Sequence, residues 1–223
     1  MRLSAEDHAK VTAAVAEAEL RSSGEIVTVV ARRSDSYNDV AAHAGVFAAM
    51  LVLACLALFP GIALWIDTHL HDPWAEHHAP AALFTIAFVA AALAFLLGRY
   101  ALAHDGLRIA LTPKATRARR VRARALTLFR SAVEQRTVEH TGVLLYLSLD
   151  EHRAELIADR GIHGKVPPET WGAAMAALVA AVKDGRPGDG MAEAVRQIGD
   201  VLARHFPRAA DDANELPDRL IEL

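Results

Sequence analysis

Apolar positions along this chain fall into distinct rhythms. Val11, Ala14, Val15 and Ala18 recur at helical spacing. Ser4 stands ahead of them as a helix cap, with Glu6 and Asp7 in the first turn, where acids suit the helix dipole. Gly24 reads as the stop signal of that helix. The run Glu25-Ile26-Val27-Thr28-Val29-Val30-Ala31 is short and β-branched, the pattern of a buried strand. Then the rhythm disappears. Positions 40–66 hold no charged residue, and 79–98 is a second such run, carrying Phe84, Phe88, Leu93 and Leu96. Each is about 20 residues or longer, enough to cross ~30 Å of hydrocarbon at about 1.5 Å per residue. A core helix of a soluble domain would keep a polar face, and these runs have none. The spans are placed at about 42–66 and 79–98. Pro60 is expected to bend the first by removing a backbone hydrogen bond. Trp65, Trp74 and Tyr100 lie near the span ends, where amphipathic rings prefer to sit.

Beyond the spans the helical period returns. Thr112-Pro113 opens a long helix whose apolar stripe includes Val121, Ala125, Leu128, Phe129 and Val133. Its other face carries Arg117, Arg119, Arg120, Arg122, Arg124 and Arg130. Thr141-Gly142 closes this element. A strand over 143–149, a tight turn at 150–153 and an alternating strand over 154–159 follow. Two further helices are expected around 168–182 and 191–205, separated by the loop 184–190.

Charge sharpens the division. Residues 40–98 contain no Lys or Arg, and residues 99–136 contain 10 against 2 acids. Arg32 and Arg33 precede the first span, whereas the linker 67–78 has acids and no Lys or Arg. Positive flanks stay on the cytoplasmic side. Both termini are therefore expected in the cytoplasm of a cell inner (plasma) membrane protein with two spans. Residues 1–39 do not read as a secretory signal, having no apolar stretch after a basic start. The single cysteine, Cys55, lies in the first span and excludes both an internal disulfide and a cysteine-based metal site. The overall charge of −3 argues against a chain basic enough for nucleic-acid binding.

A helix and strand of some thirty residues cannot bury their own apolar face. The first strand is therefore expected to join the later hairpin in one sheet, with the arginine-rich helix as the crossover. The expected fold class is α/β: a small mixed β-sheet flanked by helices, interrupted by an inserted two-helix transmembrane hairpin. The corresponding segments are 1–39, 40–104 for the hairpin, and 105–223. The pairing requires both soluble segments on one side of the membrane, as the charge pattern also does.

Several segments resemble TPM domains. Ser22-Ser23-Gly24-Glu25-Ile26-Val27 is similar to their opening strand. Thr141-Gly142-Val143-Leu144-Leu145-Tyr146-Leu147-Ser148-Leu149, followed by Glu151, Arg153 and Ile157-Ala158-Asp159-Arg160-Gly161-Ile162, is similar to their hairpin and glycine turn. Asn214-Glu215-Leu216-Pro217-Asp218 resembles a tail of the membrane-anchored bacterial subgroup. The resemblance implies a TPM-like fold. It leaves the activity open, because such domains occur both in a plant thylakoid protein with reported acid phosphatase activity and in an auxiliary subunit of a receptor channel.

Three places could carry function. Asp159, Arg160, Gly161 and His163 are expected to face Asp184, Asp189 and Gly190. Through the resemblance, Asp159, Asp184 and Asp189 become candidate ligands of a divalent cation (Ca²⁺, Mg²⁺ or Mn²⁺) that would polarise a phosphoryl oxygen. The same residues also serve ordinary turns. The external loop offers His69, His71, His77 and His78 as an alternative metal set, or as a solvated linker. Arg117, Arg119, Arg120, Arg122 and Arg124 form a face for anionic lipid or an acidic partner. No aromatic residues interleave with them, so no nucleic acid is expected. The reading is a membrane-anchored interaction or assembly module at the cytoplasmic membrane face, its partners the lipid bilayer and other membrane proteins. The alternative is a metal-dependent phosphatase.

Overall fold

The first helix, α1 (Ala5–Glu19), opens with a reciprocal cap. The Asp7 backbone N–H donates to Ser4 Oγ at 3.1 Å, and the Ser4 backbone N–H donates to Asp7 Oδ2 at 3.0 Å. Two donors that a helix start leaves orphaned are thus satisfied. The helix ends at Leu20, ahead of Gly24, which lies in the link to β1 (Glu25–Ala31). A Cβ at Gly24 would come within 3.1 Å of Leu202 Cδ1 and of Ser22 Oγ. The glycine is needed there for close packing, not as a helix stop.

The structure, a computed structural model, describes residues 3–70, 79–133, 140–209 and 215–223. After β1 come α2 (Asn38–Leu58), α3 (Pro60–Leu70), α4 (Pro80–Ala101), α5 (Asp105–Leu111) and α6 (Lys114–Ala132). Then follow β2 (Gly142–Ser148), β3 (Arg153–Ala158), the short α7 (Arg160–His163), α8 (Gly172–Lys183), α9 (Pro187–His205) and β4 (Ile221–Glu222). The chain divides into two compact units, Met1–Asp35 with Lys114–Leu223, and Ser36–Pro113.

The first unit is built on a sheet of order β3-β2-β1-β4. β1 runs parallel to β2 in continuous register from Glu25↔Gly142 to Ala31↔Ser148. β2 and β3 are antiparallel, and β4 lies parallel to β1 on its other edge. Every residue of β1 and β2 is buried, because both sheet faces are covered. On one face Ile26, Val30, Val143 and Leu145 join Val15 of α1, Leu178 of α8 and Ile198 of α9 in a core. On the other, Val27, Val29, Leu144 and Tyr146 join Val121, Ala125 and Phe129 of α6. The crossover helix and the sheet pairing expected from the sequence are both present. Three elements were not foreseen: α5; α7, which stands where a glycine turn was expected; and β4, which is too short to carry a period.

α9 begins earlier than its pattern suggests. Pro187 occupies its first turn, where a missing N–H costs nothing, so Asp189 and Gly190 are helical rather than in a loop. Its glycines permit close approach. A Cβ at Gly190 would fall 2.6 Å from Ala181 Cβ, and one at Gly199 would fall 2.5 Å from Ala18 Cβ.

The second unit contains two helices long and apolar enough to cross a membrane, Asn38–Leu58 with 21 residues and Pro80–Ala101 with 22. A soluble core helix of such composition would be mostly buried. These keep Phe47, Met50, Phe84, Phe88 and Leu97 exposed. α2 and α4 pack through small residues: a Cβ at Gly45 would meet Phe95 O at 2.8 Å, and one at Gly98 would meet Ala44 O at 3.0 Å. Pro60 breaks the first apolar run rather than merely bending it. α2 stops at Leu58, Phe59 leaves helical geometry at φ −127° and ψ 68°, and Pro60 starts α3.

The glycine contacts give a direct test. Gly199→Val is expected to lower stability by about 1–3 kcal/mol through overpacking against Ala18. Gly172→Ala, with open space around its Cβ, is expected to leave stability within about 1 kcal/mol of the parent or raise it. Denaturation of the full chain in detergent, followed by circular dichroism, checks both.

Candidate functional site

The antiparallel β2–β3 hairpin brings together residues just before β2 and just after β3. Asp159 leaves β3 with its backbone N–H on Gly142 O at 2.9 Å. Its carboxylate is buried and caps α7, accepting from the Arg160 backbone N–H at 2.6 Å. The other carboxylate oxygen lies 3.3 Å from His140 Nδ1. Arg160 Nη2 lies 3.1 Å from His140 Nε2. A guanidinium can only donate, so Nε2 accepts and Nδ1 carries the proton that goes to Asp159. His140 itself adopts a left-handed φ of 55°, and its carbonyl accepts from the Gly161 backbone N–H at 3.2 Å. The segment linking strand end and short helix is thus fastened by backbone and side chain together. With both ring nitrogens engaged, the imidazole is a link rather than an open base. Sequence reasoning singled out Asp159 and missed His140.

The three candidate metal ligands are held by different partners. Asp184 Oδ2 is 3.4 Å from Arg186 Nη2 at the exposed end of α8. Asp189 Oδ1 accepts from Lys10 Nζ at 3.1 Å. It lines a cleft of about 370 Å³ with Lys10, Arg186, Glu193 and Arg196. Arg196 in turn pairs with Glu193 at 3.1 Å, so cations already occupy both carboxylates of that cleft. Among the described residues, no group of three or more His, Cys, Asp or Glu is placed to hold a metal ion. His163 closes α7. His69 lies on α3, with Nδ1 2.8 Å from Trp65 O. His71, His77 and His78 lie outside the described residues.

A second acid, absent from the sequence reading, is buried near the same end of the sheet. Glu19 Oε1 accepts from the Ile26 backbone N–H at 3.0 Å. Burial pushes its carboxyl up to about 8; the Ile26 bond opposes the rise, and the nearby charges of Glu25 and Asp218 add to it. Glu25 Oε1 accepts from the Glu215 backbone N–H at 3.3 Å, which fixes the returning tail.

At the other end of the sheet the chain leaves β1. Ser34 N–H donates to Glu151 Oε1 at 2.9 Å, and Ser34 Oγ lies 3.0 Å from the Tyr146 hydroxyl. The Ser148 hydroxyl donates to Glu151 Oε2. Asp35 pairs with Arg120 at 2.9 Å. Burial raises the Tyr146 phenol above its usual range, against the pull of the Ser34 hydrogen bond.

The arginine face of α6 is only partly available. Arg120 is taken by Asp35, and Arg122 pairs with Glu155 at 3.3 Å. Arg119 reaches Thr116 at 3.4 Å. Arg117 and Arg124 form no hydrogen bond or ion pair with any described residue.

Residues 103–201 match the family model described as TPM domain. The NMR structure of BA42 protein from the psychrophilic bacterium Bizionia argentinensis is similar, with a TM-score of 0.57 and 17% identity over 100% of this chain and 97% of that one. At that identity the likeness concerns the fold. No curated protein matches the chain.

Two outcomes follow from the geometry. Asp159→Ala is expected to cost about 1–2 kcal/mol, the loss of a capping side chain, and to release His140. Chemical denaturation and the His140 ring signals in NMR check it. Glu19 has a folded pKa of about 8 against an ordinary 4.5. Its contribution to stability is fully present below 4.5 and is lost as pH rises through about 8. Glu19→Gln keeps an acceptor for Ile26 and cannot ionise. It is expected to flatten the fall in melting temperature across that window, measured on the full chain in detergent.

Proposed function

We propose, from the premise that the chain carries a TPM domain, that it is a membrane-anchored interaction and assembly module working at the cytoplasmic face of the inner membrane. The observation that carries the reading is the insertion of two long apolar helices between β1 and α6. Their exposed Phe47, Phe84, Phe88 and Leu97 form apolar surface that water would leave at a large cost and hydrocarbon would accept.

The orientation follows from charge and topology together. Basic residues flank the hairpin on its domain side, and the linker has none. β1 precedes the hairpin and β2 follows it, yet they pair over their full length. Both flanks must therefore lie on one side, which an even number of spans permits. Arg117, Arg119 and Arg124 then offer charge to anionic lipid or to an acidic surface of another membrane protein, each worth ~1 kcal/mol near a charged bilayer. A catalytic reading has less support, since the acids of the TPM motif region hold local structure.

The test has four arms. The protein is expected to stay with membranes in alkaline carbonate and to leave them only in detergent. A fluorescent reporter at either terminus is expected to be active in the cytoplasm, and alkaline phosphatase inserted in the linker to be active outside. The triple change of Arg117, Arg119 and Arg124 to Glu is expected to reduce severalfold the membrane proteins that co-purify after cross-linking. Purified full-length protein is expected to show no phosphatase turnover stimulated by Mg²⁺, Mn²⁺ or Ca²⁺. Such turnover, lost in Asp159→Ala, would replace this reading by a metal-dependent phosphatase.

A further inference from the structure

A cavity of the second unit lies at the end of the hairpin where its basic residues collect. It measures about 530 Å³, within the range of roughly 300–1,000 Å³ that holds small ligands. Leu93, Leu96 and Leu97 of α4 make an apolar wall, and Arg99, Tyr100 and Arg108 stand at the polar end. The cavity is therefore amphipathic along its length, oil on one side and cationic on the other.

The two arginines are prepared differently. Arg108 is largely buried, and its guanidinium is fixed by four acceptors. Nε donates to Leu102 O at 2.6 Å, Nη2 to Ala103 O at 2.6 Å, and Nη1 to Ser36 O at 3.1 Å and Asn38 Oδ1 at 2.6 Å. Three of those acceptors are uncharged carbonyls and the fourth an uncharged amide. Asp105 approaches Nη1 only at 3.7 Å. Arg108 thus contributes a pinned positive charge with few free donors. Arg99 is exposed and forms no hydrogen bond or ion pair with any described residue. It has a full fork of donors available for an anion. Tyr100, also exposed, adds a hydroxyl at the same level.

We propose that this cavity is a binding site for one anionic phospholipid of the inner leaflet. The phosphate is held by Arg99 in the field of Arg108, and an acyl chain lies along Leu93, Leu96 and Leu97. Charge complementarity selects the occupant. An acyl chain alone would leave Arg99 without a counter-ion, a free phosphate would leave the leucine wall uncovered, and a zwitterionic lipid would present a compensating cation. Basic pockets between spans on the cytoplasmic side bind anionic head groups on the same physical grounds. The inference rests on the membrane reading above and adds a lipid class to it.

The test uses the full chain reconstituted in nanodiscs of equal phosphatidylglycerol and phosphatidylcholine, then released into detergent for native mass spectrometry. Flotation with liposomes of the same composition is run alongside. The parent is expected to float and to retain one phosphatidylglycerol in preference to phosphatidylcholine. Arg99→Gln is expected to float and to lose that preference by roughly tenfold, the effect of one charge-assisted contact. Arg108 is a poor target because its bonds hold the helix ends, so Leu96→Trp, which fills the cavity without touching charge, serves as the second variant. It is expected to lose the bound lipid as well. Arg204→Gln, on α9, is expected to behave as the parent. A parent that floats but shows no preference overturns the lipid site alone, as does an Arg99→Gln variant that keeps the preference. A parent that fails to float overturns the membrane reading and the site with it.

Discussion

The pairing of β1 with β2 is the constraint on which the rest depends. Seven residues of each strand align in parallel, although the hairpin separates them in sequence. Because both sheet faces are covered, neither strand has a solvent side to which a slipped register could turn its side chains. The pairing also requires that any membrane crossing by the insertion come in even number, since an odd number would put the two strands in different compartments. Closing a long loop costs entropy that grows only slowly with its length. A loop folded as a helical hairpin has its ends brought back by its own packing, at Gly45 and Gly98, which lowers that cost further.

Charge along the chain reflects the same division. The stretch without Lys or Arg takes in both long apolar helices, and the arginines begin where the second of them ends. Once folded, the arginine face divides again. Arg120 and Arg122 reach Asp35 and Glu155 and fasten α6 to the strand exit and to β3. Arg117 and Arg124 make no such pair with any described residue, and Arg124 is exposed. A basic helix face is therefore partly internal structure and partly surface, and only ion-pair geometry separates the two roles.

The sheet, the crossover helix and both long apolar helices were legible because each depends on a repeat that the sequence displays: alternation, the helical period, or its absence over a membrane's width. Gly24 misled as a helix stop, since a glycine needed for close approach to Leu202 and one needed for a turn look the same in sequence. The start of α9 was hidden because Asp-Gly-Arg-Pro-Gly-Asp-Gly is turn-like in composition, while Pro187 in fact supplies a first turn. β4 is held by its place beside Val29 and Val30 rather than by any pattern of its own. The His140–Asp159 contact was within reach of counting. The register from Ser148↔Arg153 to Val143↔Ala158 sets Gly142 against Asp159, so the residues just before β2 must lie beside the start of α7. Glu19 was not within reach, because its burial depends on how α1, β1 and the returning tail meet.

The positions that carry the resemblance to TPM domains bear on what that resemblance means. Glu151 accepts from the Ser34 backbone and the Ser148 hydroxyl, and so fastens the segment that follows β1 to the end of β2. Asp159 caps α7 and orients His140 at the opposite end of the sheet. Both carboxylates are buried, and a buried carboxylate is tolerated only where donors surround it. Their donors come from adjacent backbone and side chains, so each acid is explained by the local structure it stabilises before any ligand is invoked. These motif residues therefore identify a fold that can be interrupted after its first strand without losing its sheet. What this chain adds to that sheet is the inserted apolar hairpin and the outward part of an arginine face.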